Sequence, residues 1–131
     1  MPCKILLADD SEIIRRAIRG RLLDHPDLEI VGESETFEET IRLVPLLKPR
    51  ILVLDIHLKD FERIKAFDFC AQSGYQCDVI GISIFTDDET KILVQKLHIT
   101  KFIDKADLSD ELIPAILELC KDETIEGATP R

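Results

Sequence analysis

Short apolar runs alternate with amphipathic stretches along this chain, and that alternation leaves few folds open to it. Residues 4–8 (KILLA), 28–33 (LEIVGE), 51–55 (ILVLD), 78–83 (DVIGIS) and 101–104 (KFID) read as five strands. The third is apolar until its final residue, as a central strand covered on both faces should be. After the first strand, residues 12–23 place Ile14, Ala17, Ile18 and Leu22 at helical spacing, with arginines on the other face. Ser11 suits the N-cap of that helix, and His25-Pro26 ends it. Further helices are expected over about 36–47, 59–73 and 87–98, and from a Ser109 cap to about Cys120, with Pro114 in early turns. Residues 122–131 read as a polar, frayed tail beyond a domain of residues 1–121.

Five βα units with right-handed crossovers favour one doubly wound parallel sheet. If its order is 2-1-3-4-5, the strands ending at Asp9-Asp10, Asp55, Ser83 and Lys105 lie side by side. Ligands bind outside the carboxyl ends of such strands. Asp9, Asp10 and Asp55 would bring three negative charges together there. At an effective dielectric of about 20, two unit charges ~4 Å apart interact by roughly 4 kcal/mol, so the cluster resists full ionisation unaided. A Mg²⁺ ion relieves that repulsion, and one or two carboxylates plus phosphate oxygens is its usual coordination. A carboxylate is also a competent nucleophile toward phosphorus, lysine offers phosphate a compact charge, and serine offers a neutral hydrogen bond. Singly, each residue has a bland reading as a cap or a solvated group; it is their joint placement that points to phosphoryl chemistry.

The 131 residues suit one domain with a sizeable core, and 45% hydrophobic composition suits a globular chain. A net charge of −9 argues against direct nucleic-acid binding and against anionic membrane, and no apolar run approaches spanning length. Cys3, Cys70, Cys77 and Cys120 show no metal-ligand spacing. They are expected as free, mostly buried thiols in a reducing cytoplasm.

Across residues 3–121 the sequence resembles the receiver domain of bacterial two-component response regulators. The opening ILLADDSEIIRRAIRGRLLDHPDLEIVGE is particularly similar to receivers that precede LuxR-type DNA-binding domains. ILVLDIHL resembles the phosphorylation-site strand, GIS the hydroxyl strand, and FIDKADLSDEL the lysine strand with its following helix. The resemblance implies a flavodoxin-like (βα)5 fold and a phosphorylation-driven switch. Asp55 would accept a phosphoryl group from a histidine kinase or a histidine phosphotransfer protein. Asp10 would ligate Mg²⁺ directly, Asp9 through water, and the backbone carbonyl of His57 would add a ligand. Ser83 would swing toward the phosphoryl oxygens, Lys105 would pair with them, and Phe102 would be the aromatic switch.

The chain departs from the family after Asp55, where HLKDFERIK replaces the usual Met-Pro pair and Gly-containing loop and Lys59 stands where proline is usual. The leading expectation is therefore a phosphoacceptor receiver, not an enzyme turning over an external substrate. It would relay its state through its fourth and fifth helices and the strand between them, with homodimerisation on phosphorylation left open. Its target would be a separate protein or a DNA-binding domain absent from this chain. The alternative is a receiver-like interaction module that signals without phosphate. A Mg²⁺-dependent phosphohydrolase is disfavoured, because the position two after Asp55 holds His57 rather than a second acid.

Overall fold

The computed structural model describes residues 2–60, 77–97 and 99–128, with side chains to Lys121. Five parallel strands, β1 (Cys3–Ala8), β2 (Leu28–Ser34), β3 (Ile51–Asp55), β4 (Asp78–Ser83) and β5 (Lys101–Asp104), form one sheet in the order β2-β1-β3-β4-β5. The four described helices are α1 (Glu12–Leu22), α2 (Phe37–Leu47), α3 (Asp88–Lys96) and α4 (Leu108–Ala128). The helix expected over 59–73 falls almost wholly outside the described residues.

Strand parity divides the core into two layers. Ile5, Leu7, Ile51, Val53, Ile80, Ile82 and Ile103 face α1 and α4, where Ile18, Leu22, Leu112, Ile116 and Leu119 close over them. Leu6, Ala8, Leu52 and Leu54 face the other way, onto Phe37 and Val44 of α2, with Leu93 and Val94 of α3 packed alongside. Alternate side chains of a strand point to opposite faces, so a run such as ILVL must be apolar throughout to serve both layers.

Side-chain caps start the helices where the site needs them. The Ser11 hydroxyl accepts the Ile14 N–H (3.2 Å), Thr36 accepts Glu39 N–H (3.1 Å) and Asp87 accepts Thr90 N–H (2.9 Å). The Ser11 cap starts α1 directly after the turn at Asp9-Asp10. Ser109 does not cap the last helix. Asp104 accepts the Ala106 N–H (2.9 Å) and opens a 3₁₀ turn over Lys105–Asp107, so Leu108 already begins α4 and Ser109 lies inside it. That helix also continues past Cys120 to Ala128, since residues 121–126 contain neither glycine nor proline to stop it.

Two expectations about buried residues are corrected. Cys3 and Cys120 are not thiols but a disulfide with a Cα–Cα distance of 6.1 Å. Cys3 opens β1 at the edge of the sheet opposite Asp9, and α4 lies across that face with Ile116 and Leu119 buried, which brings Cys120 onto it. Cys77 is half-buried, and Cys70 lies outside the described residues. Arg15 is also not on a solvated face but 8% exposed, because Glu33 of β2 and Glu12 draw its guanidinium inward.

Candidate phosphoryl and cation site

The carboxyl edge of the sheet gathers the predicted groups. Ala8 pairs with Leu54, so the residues that leave β1 and β3 at their ends, Asp9 and Asp55, are neighbours. Carboxylate oxygens of Asp9, Asp10 and Asp55 all lie within 4.8 Å of one another. Asp9 (1% exposed) and Asp55 (5%) are buried, while Asp10 is half-exposed. Ser83 ends β4 and pairs in register with Asp104, the residue before Lys105.

Lys105 holds the cluster together. Its Nζ sits 2.9 Å from Asp9 Oδ2 and donates to Asp55 Oδ2 at 3.0 Å. The mutual repulsion expected among the acids is therefore partly neutralised from within. Burial alone would lower the pKa of this ammonium, but contacts with Asp9 and Asp55 outweigh it and hold it above the ordinary 10.5. Burial also raises Asp9 above its ordinary 3.8; contact with Lys105 and the Ser11 N–H oppose the rise and the Asp55 charge adds to it. Asp9 Oδ1 accepts that Ser11 N–H at 2.8 Å. Its Oδ2, close to Lys105 but off the line of a directed hydrogen bond, is a buried oxygen with lone-pair capacity left over. Three hard oxygen donors around such an atom fit a small divalent cation better than a transition metal.

The remaining residues frame this cluster. Asp55 Oδ1 accepts the His57 N–H at 2.8 Å, which turns the loop back beneath the carboxylate. The His57 ring lies 3.3 Å (Nε2) from the Thr90 hydroxyl and edge-on to Phe85, with centroids 5.0 Å apart. Ser83 is fully buried, and its Oγ accepts the Phe85 N–H at 2.9 Å. Phe102 is half-buried against the layer that contains α2 and α3.

Thr90 and Asp60 were not singled out from sequence. Asp60 accepts the N–H groups of Phe37 (2.8 Å) and Glu38 (3.1 Å), a carboxylate at the start of α2. With Ile56 and Leu58 buried, it ties down the loop in which Lys59 replaces the usual proline. Nothing local to Asp60 in the sequence signals a partner 23 residues away.

A model of the response regulator receiver domain family matches residues 5–117, and the chain belongs to that family. Among curated relatives it is 24% identical to the response regulator protein VraR of Staphylococcus aureus over 125 residues, 95% of this chain and 60% of that protein. It is 28% identical to the uncharacterized transcriptional regulatory protein YhcZ of Bacillus subtilis, over 66% of this chain and 40% of that one. The chain thus spans about half the length of the curated relatives it matches. Among solved structures, the signal receiver domain of a putative Luxo repressor protein from Vibrio parahaemolyticus superposes with a TM-score of 0.84 at 20% identity, covering 98% of this chain and 97% of that one. The isolated REC domain of RcsB from Salmonella enterica, in the presence of phosphomimetic BeF3-, gives 0.80 at 21% identity, covering 92% and 90%. The fold is the flavodoxin-like receiver fold. No helix among the described residues is long and apolar enough to cross a membrane.

Proposed function

We propose that this receiver accepts a phosphoryl group on Asp55 from a phosphohistidine of a kinase or phosphotransfer protein. The observation that carries the reading is the Lys105 ammonium lodged between Asp9 and Asp55 beside the half-exposed Asp10. An Asp55 carboxylate oxygen attacks phosphorus, the P–N bond breaks, and the imidazole leaves with a proton from solvent. Lys105, already at Asp55, turns its charge to the transferred oxygens, and Ser83 exchanges its Phe85 contact for one of them. Asp10, Asp55 and the His57 carbonyl would hold Mg²⁺, with Asp9 acting through water; the ion supplies charge neutralisation for the incoming group. No turnover on an external substrate is part of this reading.

Phosphorylation would then be reported by Phe102 and the surface of α3, β5 and α4, to a separate partner or to a DNA-binding domain outside this chain. The net charge of −9 supports a receiver without its own nucleic-acid contact. We place it in the cytoplasm on the strength of its family, since the argument from free thiols no longer applies. The experiment is an amide NMR titration with Mg²⁺ and beryllofluoride, a phosphoryl mimic. Shifts at Ser83, Phe102 and Lys105 are expected; shifts limited to Asp9 and Asp10 would favour an interaction module that works without phosphate. The loop after Asp55, pinned by Asp60 and by His57 to Thr90, is the feature that favours that second reading.

A narrower prediction concerns Asp10. Asp10→Asn removes a negative charge from a cluster that is not fully neutralised, so the cation-free protein should melt at the same temperature or higher. Its Mg²⁺ affinity should fall about ten-fold or more, because a direct ligand is weakened. Melts with and without Mg²⁺ measure both; a clearly less stable cation-free variant would refute the repulsion argument.

A further inference from the structure

The turn that carries Asp9 and Asp10 is gripped from the side by a single guanidinium. Arg15 donates Nη1 to the backbone carbonyl of Asp9 at 2.5 Å, Nε to Glu33 Oε1 at 2.8 Å and Nη2 to Glu12 Oε2 at 2.6 Å. Glu35 stands 3.6 Å away. The side chain is 9% exposed, so its desolvation is tolerable only because these acceptors surround it. One planar group thereby connects the turn, the first turn of α1 and β2. Arg19 shares Glu33 (2.6 Å) and Glu12 (3.0 Å), and those carboxylates are where its hydrogen bonds go among the described residues.

We propose that Arg15 is a positioning residue for divalent-cation binding. The carbonyl it holds belongs to the peptide linking Asp9 to Asp10, so fixing that oxygen fixes the plane from which the Asp10 carboxylate departs. The inference rests on the reading of the acid cluster as a cation site. A lysine at this position would preserve the charge but lose the fork, since one ammonium cannot hold three acceptors set in a guanidinium's geometry.

The sign of the effect separates positioning from simple electrostatics. A cation near the cluster repels Mg²⁺, so removing it through a field effect alone would tighten binding. Loss of positioning weakens it. A purely structural role would lower the melting temperature and leave the affinity of the folded protein unchanged.

Titration calorimetry with Mg²⁺ on the full chain tests this, using wild type, Arg15→Lys, Arg15→Met and Arg19→Met, each checked for folding by circular dichroism. Arg15→Lys and Arg15→Met are expected to weaken Mg²⁺ binding about ten-fold, the lower end of what supporting residues around metal ligands contribute. Arg19→Met should stay within about two-fold of wild type, since it disturbs the same carboxylates without touching the Asp9 carbonyl. Unchanged or tighter binding by folded Arg15→Lys overturns the positioning role while leaving the cation site intact. Absence of binding by wild type overturns the cation site itself, and the inference with it. If both Arg15 variants fail to fold, Glu33→Gln, which loosens the anchor of the guanidinium, should weaken binding by roughly three-fold on the same reasoning, and no weakening there overturns the proposal.

Discussion

Replacing Lys105 with methionine is expected to destabilise the cation-free protein by about 3 kcal/mol, enough to lower its melting temperature by roughly 10 °C. The ammonium touches both buried carboxylates, 2.9 Å from Asp9 and 3.0 Å from Asp55, and its side chain is only 11% exposed. Removing one partner of a buried ionic group leaves the other charges uncompensated, which typically costs about 3–5 kcal/mol. The lower end applies because Asp9, already raised by burial, can take up a proton instead. The pH dependence has a definite sign. A carboxylate with a raised folded-state pKa destabilises the fold progressively as pH rises from its ordinary 3.8 through the raised value. The variant's deficit should therefore be smaller near pH 4 than at pH 7. In wild type the Lys105 contribution is present in full below 10.5 and is lost as pH climbs through its raised folded-state pKa. A Mg²⁺ ion held as proposed would compete with Lys105 for Asp55, so Mg²⁺ should raise the melting temperature of Lys105→Met more than that of wild type. Thermal melts at both pH values, with and without Mg²⁺, measure all of this; a deficit below about 1 kcal/mol would mean the ion pairs are effectively solvated.

Opening the Cys3–Cys120 disulfide is the second large effect. The bridge closes a loop across a sequence separation of 117, nearly the whole chain. In the chain-entropy account a loop of about 100 residues is worth about 4.7 kcal/mol, and measured values range from about 0 to 5. Reduction should therefore lower the melting temperature by up to roughly 15 °C, while Cys3→Ala, which has no bridge to lose, should melt low and ignore the reductant. The acid cluster should be indifferent, since Cys3 and Asp9 sit at opposite ends of β1 and its exit. Identical melts with and without reductant, or alkylation of both cysteines in the unreduced protein, would contradict the bridge. In a reducing compartment this same comparison describes the working state of the chain.

How much of this was legible beforehand follows from the range of the interactions. The uninterrupted apolar run Ile51–Leu54 and the alternation of apolar runs with amphipathic stretches are local signals of a doubly wound parallel sheet, whereas the order 2-1-3-4-5, on which the convergence of Asp9, Asp10, Asp55, Ser83 and Lys105 depends, is what the resemblance to receivers implies. What escaped was decided at a distance. Arg15 looked like one more solvated arginine until Glu33, 18 residues on, drew it inward. Cys3 and Cys120 carry no spacing signal, because only the docking of α4 across the sheet brings them together. His57 meets Thr90 across 33 residues, through a loop whose sequence departs from its family. Ser109 is not a cap for a reason visible only in the backbone: a 3₁₀ turn opened by Asp104 follows β5 directly and leads into α4 before Ser109 is reached.

The central claim is that Asp55 is a working phosphoacceptor. It is tested most directly by intact-mass measurement after incubation with Mg²⁺ and a small phosphodonor, alongside Asp55→Asn. The account predicts one phosphoryl adduct on wild type, lost when Mg²⁺ is chelated beforehand and absent from the mutant. An adduct of equal yield on Asp55→Asn, or none on wild type with several donors despite measurable Mg²⁺ binding, would contradict it.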